Sequence, residues 1–160
     1  DPDDELAYDG RGIAYSILGQ YDKAIDDFTK IIELNPDYPD ASFSEVYYNK
    51  GLAYYYLEQY GKAIGDFTKA IELNPDNANA YNNRGNIYFY LEQYGNAIGD
   101  FTKLIELSPD RAGAYFTRGL AYYYLEQYGE ALNDWNKTIE LDPTHSNAIT
   151  NRNILLELLS

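Results

Sequence analysis

No motif of this sequence has the residue types and spacing of an acid–base or metal site. His145 is the only histidine, and it lies beside Asp142 and Thr144 with no second orienting group or repeated motif nearby. The acidic cluster in residues 1–5 lacks the glycine and the ligand spacing of a calcium loop, and the chain has no cysteine to supply a thiolate. We therefore expect no catalytic residue, no metal site and no cofactor, and we predict that the protein is not an enzyme.

The side chains that stand out are aromatic. Rings occur in consecutive triplets at residues 54–56, 88–90 and 122–124, and asparagines are frequent around them. Large flat rings lose little entropy when they are immobilised, and amides can bond a peptide backbone as donor or acceptor. This combination is typical of a surface that binds a protein or peptide.

The aromatic triplets lie within a repeating unit. One glycine and one proline recur four times, at intervals of 39, 34 and 34 residues. In the second unit, apolar residues recur at steps of three and four in two runs, and the second run ends at Asn74-Pro75. The pattern within each unit therefore predicts a helix, a tight turn, a second helix and a loop. The recurring residues are Gly12, Gly51, Gly85 and Gly119, and Pro36, Pro75, Pro109 and Pro143.

Further positions at the same intervals resemble the tetratricopeptide repeat, a family of 34-residue helix-turn-helix units. They are a tyrosine of the first helix (Tyr15, Tyr54, Tyr88, Tyr122), an alanine of the second (Ala24, Ala63, Ala97, Ala131) and an aromatic residue (Phe28, Phe67, Phe101, Trp135). The early tryptophan of the family pattern is a tyrosine here (Tyr8, Tyr47, Tyr81, Tyr115). The resemblance covers residues 5–145. It implies an all-α fold, a right-handed α-solenoid of four repeats plus a C-terminal capping helix.

We expect a single repeat domain over residues 1–160. Its predicted parts are repeat 1 (5–38), a loop insertion (39–43), repeat 2 (44–77), repeat 3 (78–111), repeat 4 (112–145) and a terminal helix (146–160). Ser42 and Glu45 resemble a capping box, so the inserted residues are expected to lengthen the loop and extend the next helix. A harmless surface insertion is the favoured interpretation, and a hinge that frees the first hairpin is the alternative.

A basic residue precedes each repeated glycine, and an aspartate precedes each repeated aromatic residue. Antiparallel helices would bring the two together, so we predict four ion pairs within hairpins, with a modest contribution where they are exposed. The pairs are Arg11 with Asp27, Lys50 with Asp66, Arg84 with Asp100, and Arg118 with Asp134.

Two glycines, Gly65 and Gly99, lie inside predicted helices. Each costs about 1 kcal/mol relative to alanine in an exposed helix interior. Inheritance by duplication and close contact between helices are both open explanations.

Only the first ring of each triplet is needed for packing inside a hairpin. At about 100° per residue the other rings fall on the opposite side of the first helix, and the family resemblance implies that this side lines a concave groove. The first repeat has Asp9, Ile13, Ser16 and Ile17 in these places, so the aromatic surface is expected over repeats 2 to 4. The alternative is that neighbouring tyrosines pack across adjacent first helices and fill the groove. The predicted partner-binding residues are Tyr48, Asn49, Leu52, Tyr55, Tyr56, Asn79, Asn82, Asn83, Asn86, Phe89, Tyr90, Phe116, Leu120, Tyr123 and Tyr124.

The predicted function is a non-enzymatic protein–protein interaction scaffold that binds a neutral or basic peptide segment with apolar or aromatic side chains. Some members of the family hold a C-terminal carboxylate with cations on this face. No cation occurs at the matching positions here, so we predict that a carboxylate-terminated ligand is not favoured. Those positions are Asp9, Ile13, Asn49, Asn79 and Asn83 in one register, and Tyr48, Leu52, Asn83, Gly113 and Thr117 in the other.

Charge and hydropathy exclude two other classes of partner. The net charge of −14 repels nucleic acid phosphates and anionic lipid, so we expect no nucleic acid partner. No apolar run approaches the roughly 18 residues that span a bilayer, so we expect no membrane partner. A cytoplasmic location is favoured, although the sequence does not fix the compartment.

Residues 146–160 predict a lone helix that caps the fourth repeat. Ile154, Leu155 and Leu158 are candidates for self-association, and a homo-oligomer formed through this helix or the first hairpin is the alternative function. An engineered or consensus-like repeat protein is a further alternative, because the units resemble one another closely. The residues expected to cover the fourth hairpin are Ala148, Ile149, Arg152, Leu155, Leu156 and Leu159, with Ile154 and Leu158 directed elsewhere.

Overall fold

The computed structural model describes residues 4–34 and 41–160, and these residues contain helices but no strand. The all-α class, the four helical hairpins and the additional helix predicted from the sequence are confirmed. The helices of the described residues are α1 (Glu5–Ile17), α2 (Tyr21–Leu34), α3 (Phe43–Tyr56), α4 (Tyr60–Leu73), α5 (Ala78–Tyr90), α6 (Tyr94–Leu107), α7 (Ala112–Tyr124), α8 (Tyr128–Leu141) and α9 (Ser146–Leu158).

The chain forms two compact units, a first unit of Asp1–Ala80 and a second unit of Tyr81–Ser160. In the first unit α1 packs on α2, α2 on α3 and α3 on α4. In the second unit α6 packs on α7, α7 on α8 and α8 on α9. We call α1, α3, α5 and α7 the first helices and α2, α4, α6 and α8 the second helices. The single domain over residues 1–160 stays a prediction.

Each hairpin is held together by contact between a glycine and an aromatic ring. A Cβ placed on Gly12 would lie 2.9 Å from the ring of Phe28, and one on Gly51 would lie 2.9 Å from the ring of Phe67. Both rings are fully buried. The glycine and the aromatic residue therefore recur together because only a residue without a side chain lets the two helices come this close.

The turn between the two helices of each hairpin contains one residue with left-handed backbone angles. This residue is Gly19 in the first hairpin, with φ 70°, and Glu58, Glu92 and Glu126 in the others, with φ of 57°, 58° and 59°. A side chain makes this conformation cost about 1 kcal/mol, a cost that glycine avoids. The tight turn was predicted from the sequence, but its left-handed residue was not. The signal for that residue is the recurring Leu-Glu-Gln that reads Leu-Gly-Gln in the first repeat.

The segment before α3 differs in part from the prediction. Ser42 has helical backbone angles, and its side chain makes no capping hydrogen bond, so the predicted capping box is absent. Ser44 is buried instead, and its Oγ donates to the carbonyl oxygen of Ala70 at 2.8 Å. Residues 39 and 40 of the predicted insertion, and with them the proposed hinge, lie outside the described residues.

The terminal helix α9 covers the fourth hairpin with fewer residues than predicted. Ala148 and Leu155 are buried, but Leu156 and Leu159 are 50% and 54% exposed, so their predicted contact with the hairpin is wrong. Leu155 packs in one cluster with Trp135 and is 2% exposed. This burial leaves Leu155 little surface for a dimer contact, and self-association through α9 stays a prediction.

His145 has a structural place at the start of α9. Its Nδ1 accepts a hydrogen bond from the backbone N–H of Ala148 at 3.2 Å, which caps the helix. Its ring lies 4.5 Å from the ring of Phe116, centroid to centroid. These two contacts account for the residue without any chemical role.

We expect Gly65→Ala and Gly99→Ala each to raise the free energy of unfolding by about 0.5–1 kcal/mol. Among the described residues, a Cβ at either position would meet no atom of another helix within 4 Å, so close helix contact does not explain these glycines. Urea denaturation of the single variants measures the gain. Gly12→Ala is the matched control and should lower stability, because its Cβ would meet Phe28. A change of the same sign at Gly12 and Gly65 would contradict this account.

Candidate functional site

Four ion pairs orient the first helices against the second helices, as the sequence predicted. The Nη2 atoms of Arg11, Arg84 and Arg118 lie 2.6, 2.7 and 2.7 Å from the Oδ1 atoms of Asp27, Asp100 and Asp134. The same arginines donate from Nε to the second carboxylate oxygen, so each of these pairs is bidentate. Lys50 reaches Asp66 with one contact of 3.3 Å.

Burial and pairing act on these carboxyl groups in opposite directions. Burial raises the pKa of Asp66 and of Asp100, and the partner cation lowers it. The hydrogen bond to Asp134 raises the pKa of Arg118. Asp66 is the least well satisfied of the group, since its Oδ2 is buried and has no hydrogen-bond partner among the described residues.

We expect Lys50→Arg to raise the free energy of unfolding by about 1 kcal/mol at neutral pH, because a guanidinium can donate to both oxygens of Asp66. The pKa of folded Asp66 is raised, so its ionised form costs stability above that pKa, and the cost disappears as the pH falls through it. The gain from Lys50→Arg should therefore be largest near pH 7 and shrink on acidification. Urea denaturation of both proteins near pH 7 and pH 4 tests this, and a gain that does not depend on pH would contradict it.

In the triplets 54–56 and 122–124 the third ring stacks on the second helix of the preceding hairpin. Tyr56 stacks on Tyr21 with ring centroids 5.0 Å apart and planes at 12°, and Tyr124 stacks on Tyr94 at 4.9 Å and 10°. Tyr56 and Tyr124 nevertheless stay 58% and 54% exposed. These two rings therefore pack sideways and still present a face to solvent. Their role in binding a partner stays a prediction.

The second ring of a triplet packs more closely inside its own hairpin. Tyr123 lies 5.9 Å from the ring of buried Trp135 and 5.8 Å from Tyr128, and Phe89 lies 5.5 Å from Tyr94. Tyr55 is the most open of the three at 38% exposure, with its ring 6.0 Å from Tyr60. These contacts limit how much of the second rings a partner could reach.

A cleft opens between consecutive first helices in the first unit. It lies between α1 and α3, has a volume of about 110 Å³, and has buried Phe28 and Ala53 among its walls. All of its lining side chains are neutral. They are Ile13, Ser16, Ile17, Tyr21, Phe28, Asn49, Leu52, Ala53 and Tyr56.

The second unit has a cleft of the same kind between α7 and α9. Its volume is about 220 Å³, and its walls include buried Trp135 and Leu155. Its lining side chains are also neutral. They are Leu120, Tyr123, Tyr124, Trp135, Asn151, Ile154 and Leu155.

The two clefts use equivalent positions of the repeat. Ile13, Ser16 and Ile17 follow Gly12 at the same distances at which Leu120, Tyr123 and Tyr124 follow Gly119. On the opposite wall, Asn151 and Ile154 of α9 occupy the places that Asn49 and Leu52 occupy in α3. The cleft is therefore a product of the repeat, formed separately in each unit.

The clefts contain six of the predicted partner-binding residues and lack the others. The six are Asn49, Leu52, Tyr56, Leu120, Tyr123 and Tyr124. Tyr48 is half-buried with its ring 5.8 Å from Phe67, and Phe116 is half-buried against His145. Outside the clefts, Asn79, Asn86 and Tyr90 are exposed, and Asn82, Asn83 and Phe89 are half-buried. A groove that runs through repeats 2 to 4 stays a prediction.

Several residues of the clefts were missed from the sequence. Ile13, Ser16 and Ile17 were placed outside the predicted surface because they are not aromatic, yet they line the first cleft. Asn151 was not singled out, and Ile154 was assigned to self-association. Their position in the repeat could have indicated them, because Asn151 and Ile154 lie 34 residues after Thr117 and Leu120.

Four helical hairpins that repeat one sequence pattern define a helical-repeat protein. The tetratricopeptide repeat pattern matches residues 7–38, 44–77, 78–111 and 112–145, and the chain belongs to the tetratricopeptide repeat family. The matches leave out residues 39–43. Members of this family are protein-interaction scaffolds and not enzymes, and the same holds for this protein.

Solved structures of other tetratricopeptide repeat proteins are similar over most of the chain. The crystal structure of MamA has 28% sequence identity and a TM-score of 0.81, and the match covers 92% of this chain and 83% of MamA. YrrB, described as a protein with an unusual peptide-binding site, has 26% identity and a TM-score of 0.80 over 96% of this chain and 76% of its own. The first repeat domain of Spaghetti (RPAP3), bound to the HSP90 peptide SRMEEVD, has 28% identity and a TM-score of 0.69 over 75% and 95%. No curated protein sequence matches the chain.

Two further observations concern membranes and metal ions. In residues 4–34 and 41–160, no helix is both long enough and apolar enough to cross a bilayer. The same part of the chain contains no group of three or more side chains that could hold a metal ion.

Proposed function

We propose that the protein binds a peptide segment whose bulky apolar or aromatic side chains enter the clefts beside the first helices. The main support is that equivalent clefts form in both units, each with exposed aromatic faces at the rim and a buried aromatic ring in its wall. Burial of one large side chain contributes about 1.5–3 kcal/mol, which is enough to anchor a peptide when other contacts fix its direction.

The polar groups of the clefts suit a peptide backbone. Asn49 and Asn151 stand at equivalent places among apolar side chains, and each amide can donate to a carbonyl or accept from an N–H. With neutral walls and a net charge of −14 on the whole chain, the ligand should be neutral at the anchoring residue and neutral or basic around it.

We expect Ile154→Glu to weaken peptide binding by about tenfold or more, because it places a charge in the cleft of the second unit and removes an apolar wall. The probe is a set of peptides selected from a random library on the full chain, and fluorescence anisotropy measures their affinity. Leu158→Glu is the matched control, since Leu158 lies on the same helix, is 69% exposed and does not line the cleft. Equal losses in the two variants would move the site away from the cleft.

The peptide SRMEEVD, which is bound by the first repeat domain of Spaghetti (RPAP3), is the negative control in the same assay. The positions that would need cations to hold its carboxylates carry none here, so submicromolar binding is not expected. Tight binding of SRMEEVD would mean that charge, and not the apolar cleft, determines recognition.

Self-association through α9 is the second candidate function, and the exposure of Leu158 favours it. Light scattering over a dilution series distinguishes a monomer from a homo-oligomer. An oligomer that dissociates on Leu158→Glu would support this alternative, and a monomer at all concentrations would eliminate it.

A further inference from the structure

The terminal helix α9 repeats the residue order of a first helix. Arg152, Asn153 and Leu156 lie 34 residues after Arg118, Gly119 and Tyr122 of α7. In α7 these positions face the second helix of the same hairpin, since Arg118 pairs with Asp134 and Gly119 lies against the Trp135 ring. The matching face of α9, which we call the outer face and define by Arg152, Asn153, Leu156 and Leu159, is set up to meet a helix in the same way.

The apolar part of the outer face is open to solvent. Leu156 and Leu159 are 50% and 54% exposed, whereas Leu155, one position before Leu156, is buried toward the fourth hairpin. Residues three and four apart share one side of a helix, so Leu156 and Leu159 lie together with Arg152. The clefts do not use this side, because Asn151 and Ile154 point to the cleft between α7 and α9.

Arg152 presents the atoms that the other arginines use to bind aspartate. In Arg11, Arg84 and Arg118, Nε and Nη2 each donate to one oxygen of a carboxylate. In Arg152 the same two nitrogens share one neutral acceptor, Oδ1 of Asn153, at 3.2 and 2.9 Å, and this contact is exposed. A carboxylate would offer one oxygen to each nitrogen and a charge of opposite sign.

We propose that the outer face of α9 docks an antiparallel amphipathic helix of a partner protein, which places a carboxylate against Arg152 and a small residue against Asn153. The requirement for a small residue comes from the repeat. A Cβ on Gly119 would lie 2.7 Å from Trp135 Nε1, and α9 already carries the Asn153 side chain at the equivalent position. An aromatic residue such as those of the four second helices is therefore excluded from the docked helix. Apolar side chains on the same side of that helix cover Leu156 and Leu159.

The test uses helical peptides derived from α8, stapled on their solvent side so that they stay helical when free. Peptide one has the sequence of Tyr128–Leu141 with W135A, peptide two adds D134N to it, and peptide three keeps the tryptophan. Fluorescence anisotropy with the full chain should give saturable binding of peptide one. Peptide two should bind the unaltered protein at least about tenfold more weakly than peptide one does, as expected for the loss of a bidentate ion pair. The Arg152→Gln variant should bind peptide one more weakly by the same factor.

Two paired substitutions and one control variant test whether binding uses Asn153 and Arg152. Asn153→Gly should let peptide three bind about tenfold more tightly than it binds the unaltered protein, because the glycine restores space for tryptophan. The Arg152→Glu variant of the protein should bind peptide one with an added D134R substitution more tightly than it binds peptide one itself. Asn147→Ala, an exposed position on the other side of α9, should leave all affinities unchanged.

Several results would overturn the proposal. These are no saturable binding of peptide one at millimolar concentration, equal affinity for peptides one and two, or no response to Arg152→Gln. A homodimer in light scattering that dissociates on Leu156→Glu would also overturn it, because a second copy of the chain would then cover the outer face.

Discussion

Arg118→Met is expected to lower the free energy of unfolding by about 3 kcal/mol at neutral pH, the lower end of the range for breaking a buried ion pair. Arg118 donates to both oxygens of Asp134 at 2.8 and 2.7 Å and to Thr102 at 3.0 Å, and the Asp134 side chain is only 7% exposed. Methionine keeps an apolar stem near Tyr115 and Tyr122 but leaves the carboxylate without a cation. Urea denaturation followed by the fluorescence of Trp135 measures the loss.

Two further variants separate charge from packing in this prediction. Arg11→Met removes a pair with the same geometry, but the Arg11 side chain is 55% exposed, so water can replace it and the loss should be smaller. Asp134→Asn added to Arg118→Met removes the unpaired charge and should recover most of the stability. If Arg118→Met costs no more than Arg11→Met, or if the second substitution recovers nothing, the pair acts through packing alone.

The hairpins could be predicted because their main contacts recur at a fixed spacing. Gly12 with Phe28 and Arg11 with Asp27 are two contacts between the same helices, and both reappear in each repeat. The left-handed turns could not be predicted in the same way. Glutamate at 58 does not favour that conformation, so the turn follows from the helices that it joins and from the hydrogen bond of Gln59 N–H to the Tyr54 carbonyl oxygen at 2.9 Å.

The side of the helix that carries the clefts could be predicted, but the lining residues could be predicted only in part. The angle of about 100° per residue places Tyr56 and Tyr124 away from the hairpin interior. Whether such a ring is free depends on the preceding hairpin, and Tyr94 stacks on Tyr124 there. In the same way Ile154 lines a cleft because α9 packs in the place of a first helix, which is a consequence of stacking that the residue type does not indicate.

Gly119→Ala is expected to lower the free energy of unfolding by about 1–3 kcal/mol, although alanine is the better helix former. The new Cβ would lie 2.7 Å from Nε1 and 2.8 Å from Cδ1 of Trp135. Trp135 is 1% exposed and is packed in a cluster with Ala131 and Leu155, so the ring cannot move without moving the helices. Urea denaturation followed by far-ultraviolet circular dichroism measures the loss and does not depend on the tryptophan.

A double-mutant cycle with Trp135→Phe tests whether the ring causes this loss. The smaller ring should relieve part of the clash, and no hydrogen bond is lost because Trp135 Nε1 has no acceptor in the described residues. We expect a coupling of about 1 kcal/mol between the two substitutions, and additive effects would contradict the explanation. Gly85→Ala is the control, since its Cβ would meet Asp100 Cβ at 3.1 Å and Phe101 only at 3.4 Å. Because Trp135 lines the cleft of the second unit, Gly119→Ala should also weaken peptide binding there, whereas Gly85→Ala should not.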